Sequence, residues 1–60
     1  MIEIKYDKTT LPEDNEKVRF HVFAEDATFE GYYDADEEMF WKTDSDFWWA
    51  WQVDLWEPII

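Results

Sequence analysis

The sequence predicts an all-β protein: a single small domain over residues 1–60, built as an antiparallel sheet of four to five short strands. Three observations indicate this class. Apolar and polar residues alternate in short runs, and turn-forming residues recur about every eight to twelve positions. No long run has the apolar spacing of an amphipathic helix. A sheet curled into a small open barrel is the alternative arrangement of the same strands.

Sixty residues without a cysteine limit how such a domain is held together. A chain of this length buries only about 60% of its unfolded surface, and disulfide bonds are excluded. Five Trp, five Phe and three Tyr compensate, because each aromatic side chain buries about 150–250 Å². The missing cysteines also fit a reducing compartment.

The first half of the chain predicts three strands. Residues 2–6 alternate apolar and polar side chains, which indicates a half-buried strand. Residues 7–16 contain several turn formers and are predicted to form a loop. Residues 17–24 and 27–33 return to strand composition, with a tight hairpin turn at Glu25 and Asp26 between them.

The only glycine of the chain, Gly31, lies inside the second strand of this hairpin. A glycine in a strand interior indicates a bulge or bend where two backbones or a large ring come close. We therefore expect the backbone of another element to pass near Gly31.

The second half predicts shorter elements. Residues 34–38 form a charged turn and residues 39–42 a short strand. Residues 43–46 form a second polar turn, with the alternative that they cap one helical turn over 47–50. Residues 51–56 are extended, and Pro58 ends that strand. The predicted core consists of inward-facing strand residues: Ile2, Ile4, Val18, Phe20, Val22, Phe29, Tyr33, Trp41, Val53 and Leu55.

Charge gives the clearest functional signal. The chain has 16 acidic and five basic residues, a net charge of −11, and residues 20–60 alone carry −10. Direct binding to nucleic acid or to an anionic membrane is disfavoured, because both need Lys and Arg. Solubility requires a net charge of only about 2–8 in magnitude. The excess therefore indicates a basic partner.

The N-terminus lacks a basic region followed by an apolar run, and no apolar stretch approaches the roughly 18 residues of a transmembrane helix. The sequence thus predicts neither a signal peptide nor a membrane span. The expected location is the cytoplasm.

The residue inventory argues against catalysis and cofactors. Ser45 and His21 are the only serine and histidine, and no glycine-rich oxyanion loop lies near Ser45. Asp34, Asp36 and Glu38 have the spacing that begins a calcium loop, but its glycine and its distant glutamate are missing. We predict no enzyme activity, no metal site and no cofactor.

Several short segments follow a familiar order. They are Leu11-Pro12, Val18, Gly31-Tyr32-Tyr33, Trp41 and the closing stretch from Val53 to Pro58. This order resembles a family of very short phage and prophage proteins of unknown function. The closing stretch departs from the family pattern, with Asp54-Leu55 in place of Thr-His and Glu57 in place of Met. The resemblance implies a phage or prophage origin, hence the cytoplasm of a bacterial host, and it implies no activity.

The acidic side chains form the main candidate site. Alternate residues of a strand lie about 6.6 Å apart and point the same way, so we expect an ordered row of carboxylates across neighbouring turns. Such a row imitates a phosphate backbone and competes for a basic groove. The predicted function is that of a phage-encoded, non-enzymatic inhibitor of the anti-CRISPR or anti-restriction type, which occupies the DNA- or RNA-binding groove of a host defence or DNA-processing protein. The predicted partner-binding carboxylates are Glu25, Asp26, Glu30, Asp34, Asp36, Glu37, Glu38, Asp44 and Asp46.

The Trp-rich segment supports an alternative function. If Phe47, Trp49 and Trp51 face the core with Val53 and Leu55, then Trp48 and Trp56 face the other way. Either both sets are buried, or Trp48 and Trp56 are exposed anchors for a partner, since Trp dominates interface hot spots. The alternative is therefore a structural or assembly protein that homodimerises or binds a partner through this face. Whether the protein is a monomer or a homodimer stays open.

Overall fold

A computed structural model describes residues 2–3, 10–42 and 46–59, the first two through their backbone alone. The described chain forms one open antiparallel sheet of six strands, the first of which has two residues. The strands are β1 (Ile2–Glu3), β2 (Lys17–Val22), β3 (Ala27–Asp34), β4 (Met39–Lys42), β5 (Phe47–Trp49) and β6 (Val53–Pro58), and their order in the sheet is β1-β6-β2-β3-β4-β5. The predicted all-β class is confirmed. Among the described residues the sheet does not close into a barrel, because β1 and β5 remain its edges.

The hairpin of β2 and β3 forms the centre of the sheet. Its turn is longer than predicted, since β2 ends at Val22 and residues 23–26 form the turn. The backbone N–H of Glu25 donates to the carbonyl oxygen of Val22 at 3.2 Å. Asp26 adopts a φ of 48°, a conformation that Asp tolerates better than most residues. Asp26 therefore adopts the left-handed backbone conformation that a glycine usually adopts in tighter hairpin turns.

One face of the sheet, here called the inner face, carries the core. The alternation predicted for β2 and β3 is confirmed, since Val18, Phe20, Val22 and Tyr33 are at most 2% exposed. Phe29 is half-buried and packs against this core, and Leu11 covers it from the preceding loop. The remaining members of the core are Phe40, Val53 and Trp56.

Two predicted core residues point outward instead. In β4, Phe40 pairs with Tyr33 and faces inward, so its neighbour Trp41 lies on the outer face and is only half-buried. In β6, the register with β2 passes from Val53 to Leu55 and skips Asp54. This β-bulge turns both Val53 and Trp56 inward and leaves Leu55 half-buried. The predicted inward positions of Trp41 and Leu55 were wrong. Ile4 and the side chain of Ile2 lie outside the described residues.

The prediction for the C-terminal segment also needs correction. Residues 47–49 form β5, so no helical turn covers 47–50, and a 3₁₀-helix spans Ala50–Gln52 where an extended chain was expected. The backbone N–H of Trp49 donates to Oε1 of Gln52 at 2.9 Å, and that of Ala50 to the carbonyl oxygen of Glu38 at 2.8 Å. These bonds fix the turn of chain between β5 and β6. Pro58 lies at the end of β6, within the strand.

Gly31 lies where the predicted close approach occurs. A Cβ atom on Gly31 would lie 1.7 Å from the backbone oxygen of Trp41 and 3.0 Å from Cα of Lys42. Its φ is not positive, so space and not backbone conformation requires the glycine. The absence of a side chain lets the backbone of β4 approach its neighbour β3 closely at this point of their pairing.

Candidate functional site

The predicted partner-binding carboxylates lie at both ends of β3. Glu25 and Asp26 lie in the turn before β3, whereas Asp34 to Glu38 lie at its other end. Glu25 Oε2 accepts a hydrogen bond from Nε1 of Trp48 at 2.5 Å, which ties the hairpin turn to β5. Glu25 and Asp26 thus cap the hairpin turn, apart from the predicted row of carboxylates, and that row stays a prediction. Asp44 lies outside the described residues, and Asp46 is exposed just before β5.

A guanidinium group occupies the outer face between two glutamates. Arg19 pairs with Oε2 of Glu30 on β3 at 2.8 Å and with Oε2 of Glu57 on β6 at 2.7 Å. The register places the three residues side by side across β6, β2 and β3. Glu30 therefore belongs to an internal ion-paired group, which reduces its availability to a partner.

His21 is held between two aspartates on the same face. Its Nδ1 lies 2.6 Å from Oδ1 of Asp54, and its Nε2 lies 3.1 Å from Oδ1 of Asp26. The bulge in β6 is what directs Asp54 toward the imidazole. Hydrogen bonding to Asp54, and then to Asp26, raises the pKa of His21 above its ordinary value of 6.5.

This arrangement predicts a stability that falls as the pH rises. A raised folded-state pKa contributes stability that is complete below the unfolded value of 6.5 and is lost as the pH rises through the folded value. We expect the imidazole signal, which is unique because His21 is the only histidine, to titrate with a midpoint above 6.5 in an NMR experiment. Asp54→Asn should move that midpoint down, and His21→Gln should flatten the melting temperature between about pH 6 and about pH 8. A wild-type midpoint at or below 6.5 would contradict the assignment.

Seven further acidic side chains of the described residues gather at one end of the sheet, here called the acidic end. It consists of Glu13, Asp14, Glu16, Asp34, Asp36, Glu37 and Glu38. Two backbone hydrogen bonds bring the loop to the turn: Asn15 N–H donates to the carbonyl oxygen of Tyr33 at 2.7 Å, and Tyr33 N–H donates to that of Glu16 at 3.1 Å. Sequence reasoning missed the loop residues, because residues 1–19 are almost balanced in charge.

Backbone donors order two carboxylates of the acidic end. Oδ1 of Asp14 accepts from the N–H of Ala35 at 2.9 Å, and Oδ1 of Asp34 accepts from those of Asp36 at 3.1 Å and Glu37 at 3.3 Å. Burial raises the pKa of the Tyr33 hydroxyl, and the charges of Glu38 and Asp34 raise it further. The side chains of Asp36 and Glu37 are exposed. The acidic end is therefore a negatively charged surface in which hydrogen bonds hold the side chains of Asp14 and Asp34 in place.

The two predicted tryptophan anchors face inward. Trp56 is 6% exposed, and its Nε1 donates to the carbonyl oxygen of Thr10 at 2.6 Å. Trp48 is half-buried and stacks on Phe29, with ring centroids 4.5 Å apart. The pairing of Trp48 with the inward-facing Phe40 sets this orientation. The expectation that Trp48 and Trp56 are exposed was wrong.

The opposite set of rings is exposed and forms an aromatic strip of Tyr32, Trp41, Phe47 and Trp49 on the outer face. Tyr32, Trp41 and Phe47 are consecutive partners in the register of β3, β4 and β5. Ring centroids are 6.5 Å apart for Tyr32 and Trp41, 5.2 Å for Trp41 and Phe47, and 5.8 Å for Phe47 and Trp49. Phe47 and Trp49 are 44% and 41% exposed. The pairing of Phe40 with Tyr33 and with Trp48 fixes this orientation. Sequence reasoning missed it, because residues 39–41 and 47–49 are continuous apolar runs without alternation.

The aromatic strip adjoins the acidic end. Tyr32 and Asp34 lie two residues apart on β3 and therefore on one face. Asp34 and Trp49 both pair with Met39 in the register, one from each side. The two surfaces meet at the β3–β4 hairpin.

Comparisons with family models, with curated proteins and with solved structures give no match to this chain. The resemblance to short phage proteins thus stays a prediction. Within the part of the chain that the structure describes, no helix is long and apolar enough to span a membrane. Among the same residues, no three His, Asp or Glu side chains are grouped as a metal site requires.

Proposed function

We propose that this protein is a non-catalytic inhibitor that binds the basic nucleic-acid-binding surface of another protein. The supporting observation is the assembly of the acidic end from two segments that are distant in sequence, the loop at 13–16 and the turn at 34–38. Fixed carboxylates offer Lys and Arg side chains the same electrostatic attraction as phosphates do, and this attraction falls with salt.

The distribution of charge supports the same surface. Arg19 and His21 pair with Glu30, Glu57, Asp54 and Asp26 on the outer face. At the acidic end, Asp14 and Asp34 instead accept hydrogen bonds from neutral backbone N–H groups. A phage or prophage origin, which the resemblance implies, would make the partner a host defence or DNA-processing protein in the host cytoplasm.

A second candidate function rests on the exposed aromatic strip. Large exposed apolar surfaces mark interaction sites, and two copies could pair through this strip to form a homodimer. The net charge of −11 on each copy opposes such pairing. Sedimentation at micromolar concentration separates the two functions, since a salt-insensitive dimer favours the second.

A matched pair of alanines tests the acidic end. Ala35 and Ala24 are both exposed, and they lie in the turns at opposite ends of β3. Ala35→Lys places a positive charge within the acidic end, where like charge opposes a basic partner. We expect affinity for the partner to fall about tenfold, or about 1.4 kcal/mol. Ala24→Lys adds the same charge elsewhere and should change affinity less than about twofold.

The measurement has two steps. Proteins captured from a bacterial lysate on the immobilised chain are eluted with rising salt, and each is then tested for release of labelled duplex DNA when the soluble chain is added. Affinity should fall steeply between about 50 and about 200 mM salt. Salt-independent binding, failure to release DNA, or equal effects of the two lysine variants would each refute the proposed function.

A further inference from the structure

The aromatic strip is a surface that the acidic end alone does not explain. Its rings stand on neighbouring strands at matched register positions, and Tyr32, Phe47 and Trp49 are each more than a third exposed. Burial of Trp48 and Trp56 shows that this small core had room for aromatic rings. Rings that remain outside, held in contact with one another, present a rigid surface whose side chains lose little entropy on binding.

The surroundings of the strip favour a cation as its occupant. Asp34 lies two residues from Tyr32 on β3 and on the same face, where the strip adjoins the acidic end. Glu30, two residues away on the other side of Tyr32, is already paired with Arg19. Aromatic faces attract cations that lie within about 6 Å of the ring centroid. Carboxylates beside such rings add charge complementarity, and a planar guanidinium can stack on a ring while it pairs with a carboxylate.

Both interactions, a cation on an aromatic ring and a guanidinium paired with a carboxylate, occur within the protein itself. Nζ of Lys42 lies 5.2 Å from the centroid of the Phe29 ring. The guanidinium of Arg19 donates to one oxygen of Glu30 through Nε at 3.1 Å and Nη2 at 2.8 Å. Arg19 shows that a guanidinium fits against the outer face of β3.

Other occupants fit less well. A second copy brings another −11 of charge to the strip. Single-stranded nucleic acid stacks on exposed rings, but it also needs a basic groove beside them. The basic residue Lys17 lies opposite Tyr32 in the register, but the carboxylate of Asp34 beside the same ring and the adjoining acidic end oppose phosphate.

We propose that the aromatic strip binds arginine side chains of a basic protein segment, whose guanidinium groups stack on the rings beside Asp34 and the acidic end. The inference rests on the proposed function for the basic character of the partner, but it uses different residues. In this inference the acidic end attracts the basic partner electrostatically, and the aromatic strip selects arginine over lysine.

Two peptides of equal charge test the selection: nona-arginine and nona-lysine. We expect the wild-type protein to bind nona-arginine about fivefold more tightly than nona-lysine, because only arginine stacks in addition to pairing. Trp49→Leu should weaken nona-arginine binding about threefold to fivefold and leave nona-lysine binding within about twofold. Trp51→Leu is the matched control, since Trp51 is 72% exposed on the 3₁₀-helix outside the strip, and it should change neither affinity.

A measurement on the unmodified protein covers the case in which Trp49→Leu does not fold. The five Trp indole N–H groups can be followed by NMR during titration with nona-arginine. The signals of Trp41 and Trp49 should shift, whereas those of Trp48 and Trp56, which donate to Glu25 and Thr10, should not.

Four outcomes would overturn the inference: equal affinity for the two peptides, unshifted Trp41 and Trp49 signals at saturation, shifts of these signals on concentrating the protein alone, or stronger shifts with oligo-dT than with nona-arginine. In the first two, the proposed function stands if Ala35→Lys still weakens partner binding and Ala24→Lys does not. If Ala35→Lys and Ala24→Lys have equal effects on partner binding while the protein still prefers nona-arginine to nona-lysine, the proposed function fails and the inference about the aromatic strip stands.

Discussion

Gly31→Ala is expected to destabilise the sheet more than any other single methyl group added to the described strands. Its Cβ would lie 1.7 Å from the backbone oxygen of Trp41, which cannot move without breaking the pairing of β3 with β4. A domain of this length has a total stability of about 3–9 kcal/mol, at about 0.05–0.15 kcal/mol per residue. We expect the substitution to cost about 4 kcal/mol or more, a loss reserved for such steric conflicts, and so to remove most or all of that stability.

Thermal unfolding followed by tryptophan fluorescence measures the effect. Thr28→Ala, on the exposed outer face of β3, is the control and should change stability by less than about 0.5 kcal/mol. A Gly31→Ala variant that melts like the wild type would show that the backbones of β3 and β4 do not approach as closely as described. The oxygen that would clash belongs to Trp41, so the same close approach also positions one residue of the aromatic strip.

Charge reversal at the acidic end is expected to have the largest effect on binding. In Asp36→Lys/Glu37→Lys, two exposed carboxylates become cations, while the backbone N–H groups that donate to Asp34 are retained. Juxtaposed like charges cost several kcal/mol at an interface. We expect affinity for the basic partner to fall at least a hundredfold, or about 2.7 kcal/mol.

The same variant should be as stable as the wild type or more so, because it relieves self-repulsion in a chain of net charge −11. A fall in affinity without a fall in stability separates a loss of binding from structural damage. The amide variant Asp36→Asn/Glu37→Gln is the control of matched shape. It removes charge without reversing it and should weaken binding less and reduce its salt dependence. Reversal without loss of affinity would assign recognition to another surface.

The sequence by itself determined the fold class and the centre of the sheet. In β2 and β3, polar and apolar residues alternate cleanly, so the inward positions of Val18, Phe20, Val22 and Tyr33 follow from the pattern. The single glycine in a strand predicted the close backbone approach at Gly31. The net charge of −11 likewise follows from composition and is the same in any arrangement of the strands.

Only the tertiary structure decided which aromatic rings are exposed. Residues 39–41 and 47–51 are continuous apolar runs, and such runs carry no alternation that could set their phase. The pairing of Phe40 with Tyr33 and with Trp48 sets the phase, the 3₁₀-helix interrupts it, and the bulge at Asp54 shifts it again. The aromatic strip is the result.

Only the tertiary structure decided which residues form the acidic end. Asp14 and Ala35 are 21 residues apart, and only the docking of the loop on β3 brings their segments together. Arg19 reaches Glu30 and Glu57 because β2 lies between β3 and β6, an order that the chain sequence does not display. Composition determines the number of carboxylates, but non-local strand pairing decides which of them meet Arg19 and His21 and which gather at the acidic end.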